Sequence, residues 1–247
     1  MTKQLYFVVM LLLFGYRAVA EQNRFIFLTM LYNETDEIRV SEYKTCLYEN
    51  KKHPLIIDIH VLYDTSKDDQ KNELLSFLYE QNIQVSLIDG RASYSDFFNL
   101  ANERYPNQAI ILANADIYFN HTLYGLEHFN LTNMFLPITR WNMYADGTRE
   151  VTKNYFTQDD DPGSHDTWIF KTPICIPGSE CIKMGIMGCD GSIAYLANKA
   201  GYTLLNPCYS IETLHLHQSP VRHYWKEGRY KGLLLTVPCG YLPLLPF

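Results

Sequence analysis

In "QAIILANADIYFNHT" (108–122) an apolar run from Ala109 to Ala113 ends in Asn114-Ala115-Asp116. Side chains at i and i+2 of an extended chain point the same way. Asn114 and Asp116 can therefore present an amide and a carboxylate together. That oxygen set suits a hard divalent cation, Mg²⁺ or Mn²⁺, shared with phosphate oxygens. The same residues also end strands by turn chemistry. His215-Leu216-His217 repeats the spacing: two imidazoles share a face while Leu216 turns to the core. They are either ligands for Mn²⁺ or Zn²⁺ or two surface histidines on an edge strand. Asp190, in "MGCDGS", stands just ahead of a helix, where a carboxylate either caps the helix or serves as a general base. Asp166, in "SHDTWIF", has the same two readings at a strand start. Consecutive Ser164-His165-Asp166 is not a hydrolase triad, because triad members converge in space rather than in sequence. Arg222, His223, Lys226, Arg229 and Lys231 form a basic run that either neutralises a diphosphate or makes a solvated face.

The elements that must position these groups follow a regular rhythm. "RFIFLTML" (24–31) reads as a buried strand, and 35–50 as a helix with Thr35 as N-cap and Ile38, Tyr43, Cys46 and Leu47 on its inner face. A strand at 55–64, a helix at 68–82, a strand at 83–89 and a helix at 93–105 lead to the strand that carries Asn114 and Asp116. This alternation implies a parallel sheet with helices on both faces, in which ligands bind beyond the carboxyl ends of the strands. The second half predicts strands at 133–141 and 166–171, a polar loop region over 148–164, a helix over 189–202 ended by Gly201, and short strands in "TLLNP" and "IETLHLH". No Pro/Gly/Ser-rich linker divides the halves.

Bulk properties narrow the classes. The 247 residues are 47% hydrophobic with a net charge of −6, enough for one well-filled α/β core and without the basic face nucleic acid requires. Lys3, the apolar stretch Leu5–Tyr16 and Ala18-Val19-Ala20 read as a secretory signal peptide over 1–20. The mature chain then begins at Glu21, in the ER or Golgi lumen or outside the cell. An uncleaved anchor is the alternative, but Arg17 suits a lipid boundary poorly. Six cysteines fit an oxidising compartment and allow fifteen full pairings, so connectivity stays open; at least one disulfide is expected, with Cys175–Cys181 the first choice because the Pro177-Gly178 turn brings the two close at little loop-closure cost. Sequons stand at Asn33, Asn120 and Asn130, and Asn120, four residues past Asp116, is expected either to be unmodified or to point to the opposite side of the sheet edge. No G-x-G-x-x-G, Walker A or G-x-S-x-G pattern occurs.

In order, "GRASYSDFFNLAN", "IILANADIYF", "FLPITRW", "SHDTWIF", "GIMGCDGSIAYLANKAGYTLLNPC" and "HLHQSPVRHY" resemble nucleotide-sugar glycosyltransferases of the GT-A type over about residues 24–231. The resemblance implies a single GT-A-like, Rossmann-like α/β domain with a mostly parallel central sheet. It would have a nucleotide-binding half (24–120), an acceptor-binding half (121–231) and an apolar C-terminal tail (232–247). Arg91 and Tyr94 fall in the family's nucleotide-contacting loop, with Asn102 on the helix that follows. Asp116 matches the second acid of the DxD motif, with Asn114 replacing the first as a donor-binding group. His215 or His217 matches a C-terminal histidine that completes the metal shell, and Asp190 the acid that deprotonates the acceptor in inverting members. Asp166 and Trp168 fall on the acceptor side, and Arg222 and Lys226 serve the diphosphate. Expected are a weakly held Mn²⁺ or Mg²⁺, a nucleotide-sugar donor, and a glycan, protein or lipid acceptor. A glycosyltransferase-like binding protein without turnover and a metal-dependent hydrolase are the alternatives.

Overall fold

The computed structural model describes residues 22–66, 73–153, 163–221 and 228–243. The leader at 1–20 and the basic residues Arg222 and Lys226 lie outside the described residues.

β1 (Phe25–Tyr32), α1 (Glu37–Lys52), β2 (Ile56–Asp64), α2 (Glu73–Glu80), β3 (Gln84–Ile88), α3 (Tyr94–Arg104) and β4 (Ala109–Ala113) follow the predicted alternation. Strands β3, β2, β1 and β4 lie side by side and parallel. Alternate residues of β1 serve opposite faces. Phe25, Phe27 and Leu31 pack with Val40, Tyr43 and Leu47 of α1 and with Leu74 and Leu78 of α2. Ile26 and Leu28 pack with Phe97, Phe98 and Ala101 of α3 and with Ile193 and Ala197 of the later helix. Each Val, Leu, Ile or Phe side chain so withdrawn from water contributes about 1.5–3 kcal/mol. Helices thus cover both faces of one sheet.

Beyond β4 the sheet changes direction. β5 (Ile117–Phe119) follows a turn, β6 (Met134–Met143) and β7 (Arg149–Val151) come next, then β8 (His165–Lys171), α4 (Cys189–Lys199), β9 (Thr203–Leu204) and β10 (Thr213–His215). The order is β3-β2-β1-β4-β8-β6-β10-β5, with β7 and β9 on β6. β8 runs antiparallel between β4 and β6, and β10 pairs parallel with β6 and antiparallel with β5.

Several local expectations are corrected. The N-cap of α1 is Asp36, whose carboxylate accepts from Arg39 N, and not Thr35. Ile38 faces solvent at 52% exposure, while Arg39 and Glu42 take inward positions. The region expected as a polar loop contains β7, which pairs with β6. Cys175 and Cys181 are both exposed, unpaired thiols, so the disulfide expected between them is absent. Ile176, Ser179 and Ile182 are the residues of this turn that go inward, leaving both thiols on the outside. Gly201 ends α4 as expected: at φ +90° it donates to Asn198 O while Tyr202 N reaches Ala197 O.

Candidate functional site

The turn at 114–116 lies at the carboxyl end of parallel strand β4, where the sheet hands over to its antiparallel half. β10 brings the histidines to the same place, because His215 pairs with Ile117 and Leu216 N donates to Asp116 O at 2.9 Å. His215 Nε2 lies 3.2 Å from Asp116 Oδ2, and His217 Nδ1 3.6 Å from it. One ligand atom from each of the three lies within 4.8 Å of the others.

The other ring nitrogens are anchored, which fixes how the two imidazoles face Asp116. His215 Nδ1 sits 3.2 Å from Asn142 Oδ1, and His217 Nε2 3.0 Å from Val221 O. Both oxygens accept only if these nitrogens carry the protons. In neutral rings His215 Nε2 and His217 Nδ1 would then turn lone pairs towards Asp116, as metal-binding histidines are held, and in a protonated ring His215 Nε2 donates to the carboxylate instead. Asp116 Oδ1 is buried without a hydrogen-bond partner, a position that a ligand would relieve. Two imidazoles and one carboxylate match Mn²⁺ or another borderline divalent ion.

Arg39 is the residue sequence reasoning missed. It reaches from the inner face of α1 to Asp116 Oδ2 at 2.8 Å, to Glu42 Oε2 at 2.6 Å and to Tyr43 OH at 2.9 Å. Glu42 Oε1 in turn accepts from the backbone N–H groups of Gln218 and Ser219, and Asp36 accepts from Ser219 Oγ. The first turns of α1 thereby clamp the segment that follows His217. Burial pushes the Asp116 carboxyl upward, but His215 and Arg39 outweigh it and hold the group well below the usual carboxylate range. An open cleft of about 410 Å³ runs beside this clamp, lined in part by Glu37, Ser41, Glu42 and Gln218. Its two carboxylates make it a poor seat for a diphosphate.

A second polar cluster begins at Asn114. Its Nδ2 donates to Asp166 Oδ1 at 2.7 Å, and Arg140 Nη1 reaches Asp166 Oδ2 at 2.6 Å. Asp190, half-buried in the first turn of α4, accepts from His165 N at 3.2 Å. His165 itself is buried with neither ring nitrogen hydrogen-bonded. Asn114 thus links the strand end bearing Asp116 to the acids expected on the acceptor side.

Other expected contacts are engaged elsewhere. Tyr94 is fully buried, edge-on to Trp168 at 5.0 Å with its hydroxyl 3.5 Å from Cys189 Sγ, so neither ring is placed to touch a ligand. Tyr94 and Trp168 belong to the core. The Asn102 amide forms two hydrogen bonds with the backbone of Ile174. Arg91 Nη1 donates to Met184 O at 3.0 Å, and a Cβ on Gly185 would come within 2.7 Å of that nitrogen. Arg91 therefore braces the loop leading to Asp190. Among the described residues no helix is long and apolar enough to cross a membrane.

Neither a family model nor a curated protein matches the chain. Solved structures do. GalNAc-T7 with UDP, GalNAc and Mn²⁺ superposes with a TM-score of 0.52 at 13% identity, over 81% of this chain and 44% of its own. The mannosyltransferase PcManGT from Pyrobaculum calidifontis, in complex with GDP-Man and Mn²⁺, gives 0.50 at 13% identity, over 91% and 66%. TarS of S. aureus gives 0.48 at 17% identity, over 78% and 36%. The chain thus spans between about a third and two thirds of the length of these proteins. The likeness to GalNAc-T7 and the mannosyltransferase shows a shared fold.

Proposed function

We propose that the protein is a glycosyltransferase that moves a sugar from a nucleotide-diphosphate donor to an acceptor hydroxyl with metal assistance and inversion. The observation that carries this reading is the Asp116–His215–His217 cluster at the carboxyl end of β4, on a fold shared with structures that hold sugar nucleotides or their parts and Mn²⁺. Asp116, His215 and His217 would hold the divalent ion, which when bound supplies counter-charge to the departing diphosphate. Arg39 fixes the Asp116 carboxylate, and Asn142 fixes the His215 tautomer. Asp190 takes the proton of the attacking hydroxyl. That oxygen bonds to the anomeric carbon from the face opposite the donor phosphate, whose C–O bond breaks to release the nucleoside diphosphate. His165 N and Asn114, through Asp166, keep the two acidic centres in register. The acceptor is a glycan, protein or lipid hydroxyl, and the reaction takes place in a secretory lumen that imports sugar nucleotides.

One observation favours a second reading, a binding protein without turnover. Asn114 replaces an acid, and Arg39 already neutralises Asp116. Incubating the mature chain with a panel of sugar nucleotides, Mn²⁺ and candidate acceptors separates the readings. Acceptor-dependent release of nucleoside diphosphate supports transfer, and release without acceptor supports hydrolysis. Binding that Asp116→Ala abolishes, with no release, supports the binding protein. Metal-independent binding that survives Asp116→Ala would remove Asp116 from the site.

A further inference from the structure

The segment after Gly228 lies along the molecule as a strap. Tyr230 N donates to Met187 O at 3.1 Å, Leu235 N to Gly191 O at 2.9 Å, and Gly240 N to Asn206 O at 2.9 Å. The strap crosses the first turn of α4 so closely that a Cβ on Gly191 would stand 3.1 Å from Leu234 Cβ. Asp190 is the residue before that glycine. Further along, buried Asn206 donates to Val237 O at 2.8 Å, Cys239 bridges Asn206, and Tyr209 N reaches Gly240 O at 3.1 Å. The strap has no extended ladder, and Leu233 and Tyr241 are 67% and 70% exposed. Its hydrogen bonds are few and partly open to water, which marks a segment that opens locally.

At its far end two cysteines meet. Cys208 is buried and Cys239 half-buried, both as free thiols, and the bonds from Tyr209 N to Gly240 O, from Gly240 N to Asn206 O and from Asn206 Nδ2 to Cys239 Sγ at 3.7 Å lay the two cysteines' backbones side by side. We propose that Cys208 and Cys239 form a disulfide that fastens the C-terminal strap across the helix start bearing Asp190. The inference does not depend on whether the site transfers sugar. This proximity also prepares the chemistry. The neighbouring Cys208 lowers the Cys239 pKa, while Cys239 and burial raise that of Cys208. Cys239, the more exposed of the two, is therefore the attacking thiolate. With oxidised glutathione as the oxidant, Cys239 Sγ attacks one glutathione sulfur, the S–S bond breaks, and a glutathione thiolate leaves. Cys208 then loses its proton to water and attacks the Cys239 sulfur of the mixed disulfide, expelling the second glutathione thiolate. Two protein thiols are oxidised and one glutathione disulfide is reduced. The bond closes a loop of about 30 residues, long enough for the cross-link to restrict the unfolded chain appreciably.

The test uses the mature chain equilibrated with oxidised glutathione, alkylated in denaturant without reductant, digested and weighed. A joined peptide pair containing Cys208 and Cys239 is expected. Reduction of the folded protein should then speed amide exchange at Leu235 and Gly240 by about tenfold or more, and Cys239→Ser should show the fast exchange without reductant. Alkyl groups on both cysteines of a protein whose circular dichroism is that of the folded chain would overturn the disulfide. A joined pair whose reduction leaves both amides unchanged would overturn its role as a fastener.

Discussion

Arg39 and Asp116 are both nearly buried, so the 2.8 Å contact between them sets the charge of the cluster before any cation arrives. Removing one partner of such a pair leaves an uncompensated buried charge, at a cost of about 3–5 kcal/mol. Arg39→Met should therefore melt well below the wild type without metal. If Arg39 competes for Asp116, saturating Mn²⁺ should then raise the melting temperature of the variant more than that of the wild type. Equal shifts would show that the guanidinium and the ion do not contend for the carboxylate. Asp190 carries a different expectation. Asp190→Asn keeps the shape and the contact with His165 N, so donor binding by calorimetry should be retained while transfer falls by about 10²–10⁴-fold, the range for general base catalysis. Wild-type turnover would leave Asp190 as no more than a residue of the first helical turn. The His215-x-His217 spacing was legible because i, i+2 polar residues in extended chain share a face; Asn114 and Asp116 do not share one, since 114–116 is a turn that sends Asn114 to Asp166 and Asp116 to Arg39 and His215. Arg39 and Glu42 were not. On a helix with apolar neighbours a charged residue reads as the solvent side, and only the arrival of Asp116, Gln218 and Ser219 from far along the chain turns that face inward.

At the scale of elements, α1 carries the clamp and must stay in register with β5, which begins one residue after Asp116. Asn50 does this. Its Nδ2 donates to Ile117 O at 2.8 Å and its Oδ1 accepts from Phe119 N at 3.1 Å, all in a buried setting. Asn50→Ala leaves that carbonyl and that N–H without partners, at about 1–3 kcal/mol each. The urea midpoint should drop with an unchanged slope, and Mn²⁺ affinity should weaken with it as β5 loosens. A midpoint within error of the wild type would mean that water replaces both bonds. Neither β5 nor its tie to Asn50 could be read beforehand, since three residues after a turn carry too little pattern. The strand–helix rhythm of the first half was legible for the opposite reason: β1, β2 and β4 are buried on both faces, and the helices between them turn apolar side chains to the sheet. What that pattern does not encode is direction. A strand covered on both faces looks the same whether its neighbour is parallel or antiparallel, so the reversal at β8 emerges only from the pairing. The cap of α1 was ambiguous between adjacent residues that both cap well. Asp36 prevails because its carboxylate serves Arg39 N and Ser219 Oγ together.

Among the described residues, three buried histidines besides His215 are poised against acid. His53 accepts from Leu55 N at Nδ1 and lies 3.0 Å from Asn120 O at Nε2, an arrangement that only the neutral ring satisfies. His60 sits between the hydroxyls of Tyr105 and Ser86. His165 is enclosed with neither nitrogen bonded. Burial lowers the pKa of all three. It is opposed by the Asn120 carbonyl at His53, by Asp58 at His60, and by Asp190, the nearby Val237 backbone and Asp166 at His165, while Arg104 reinforces it at His60. An unfolded imidazole takes up its proton near pH 6.5, whereas the folded ones do so only at lower pH. In that window the unfolded chain binds more protons, so stability falls as pH drops below about 6.5 and is insensitive to these groups above it. Each histidine adds a slope of at most about 1.4 kcal/mol per pH unit. Urea midpoints should therefore be level from pH 8 to 7 and fall steeply from 6.5 to 5. His60→Gln, which keeps a hydrogen-bonding side chain between the two hydroxyls but cannot titrate, should flatten that fall by one histidine's share while lowering the plateau modestly. A midpoint as high at pH 5 as at pH 7, or an identical slope in His60→Gln, would mean that these rings take up protons without opening the fold.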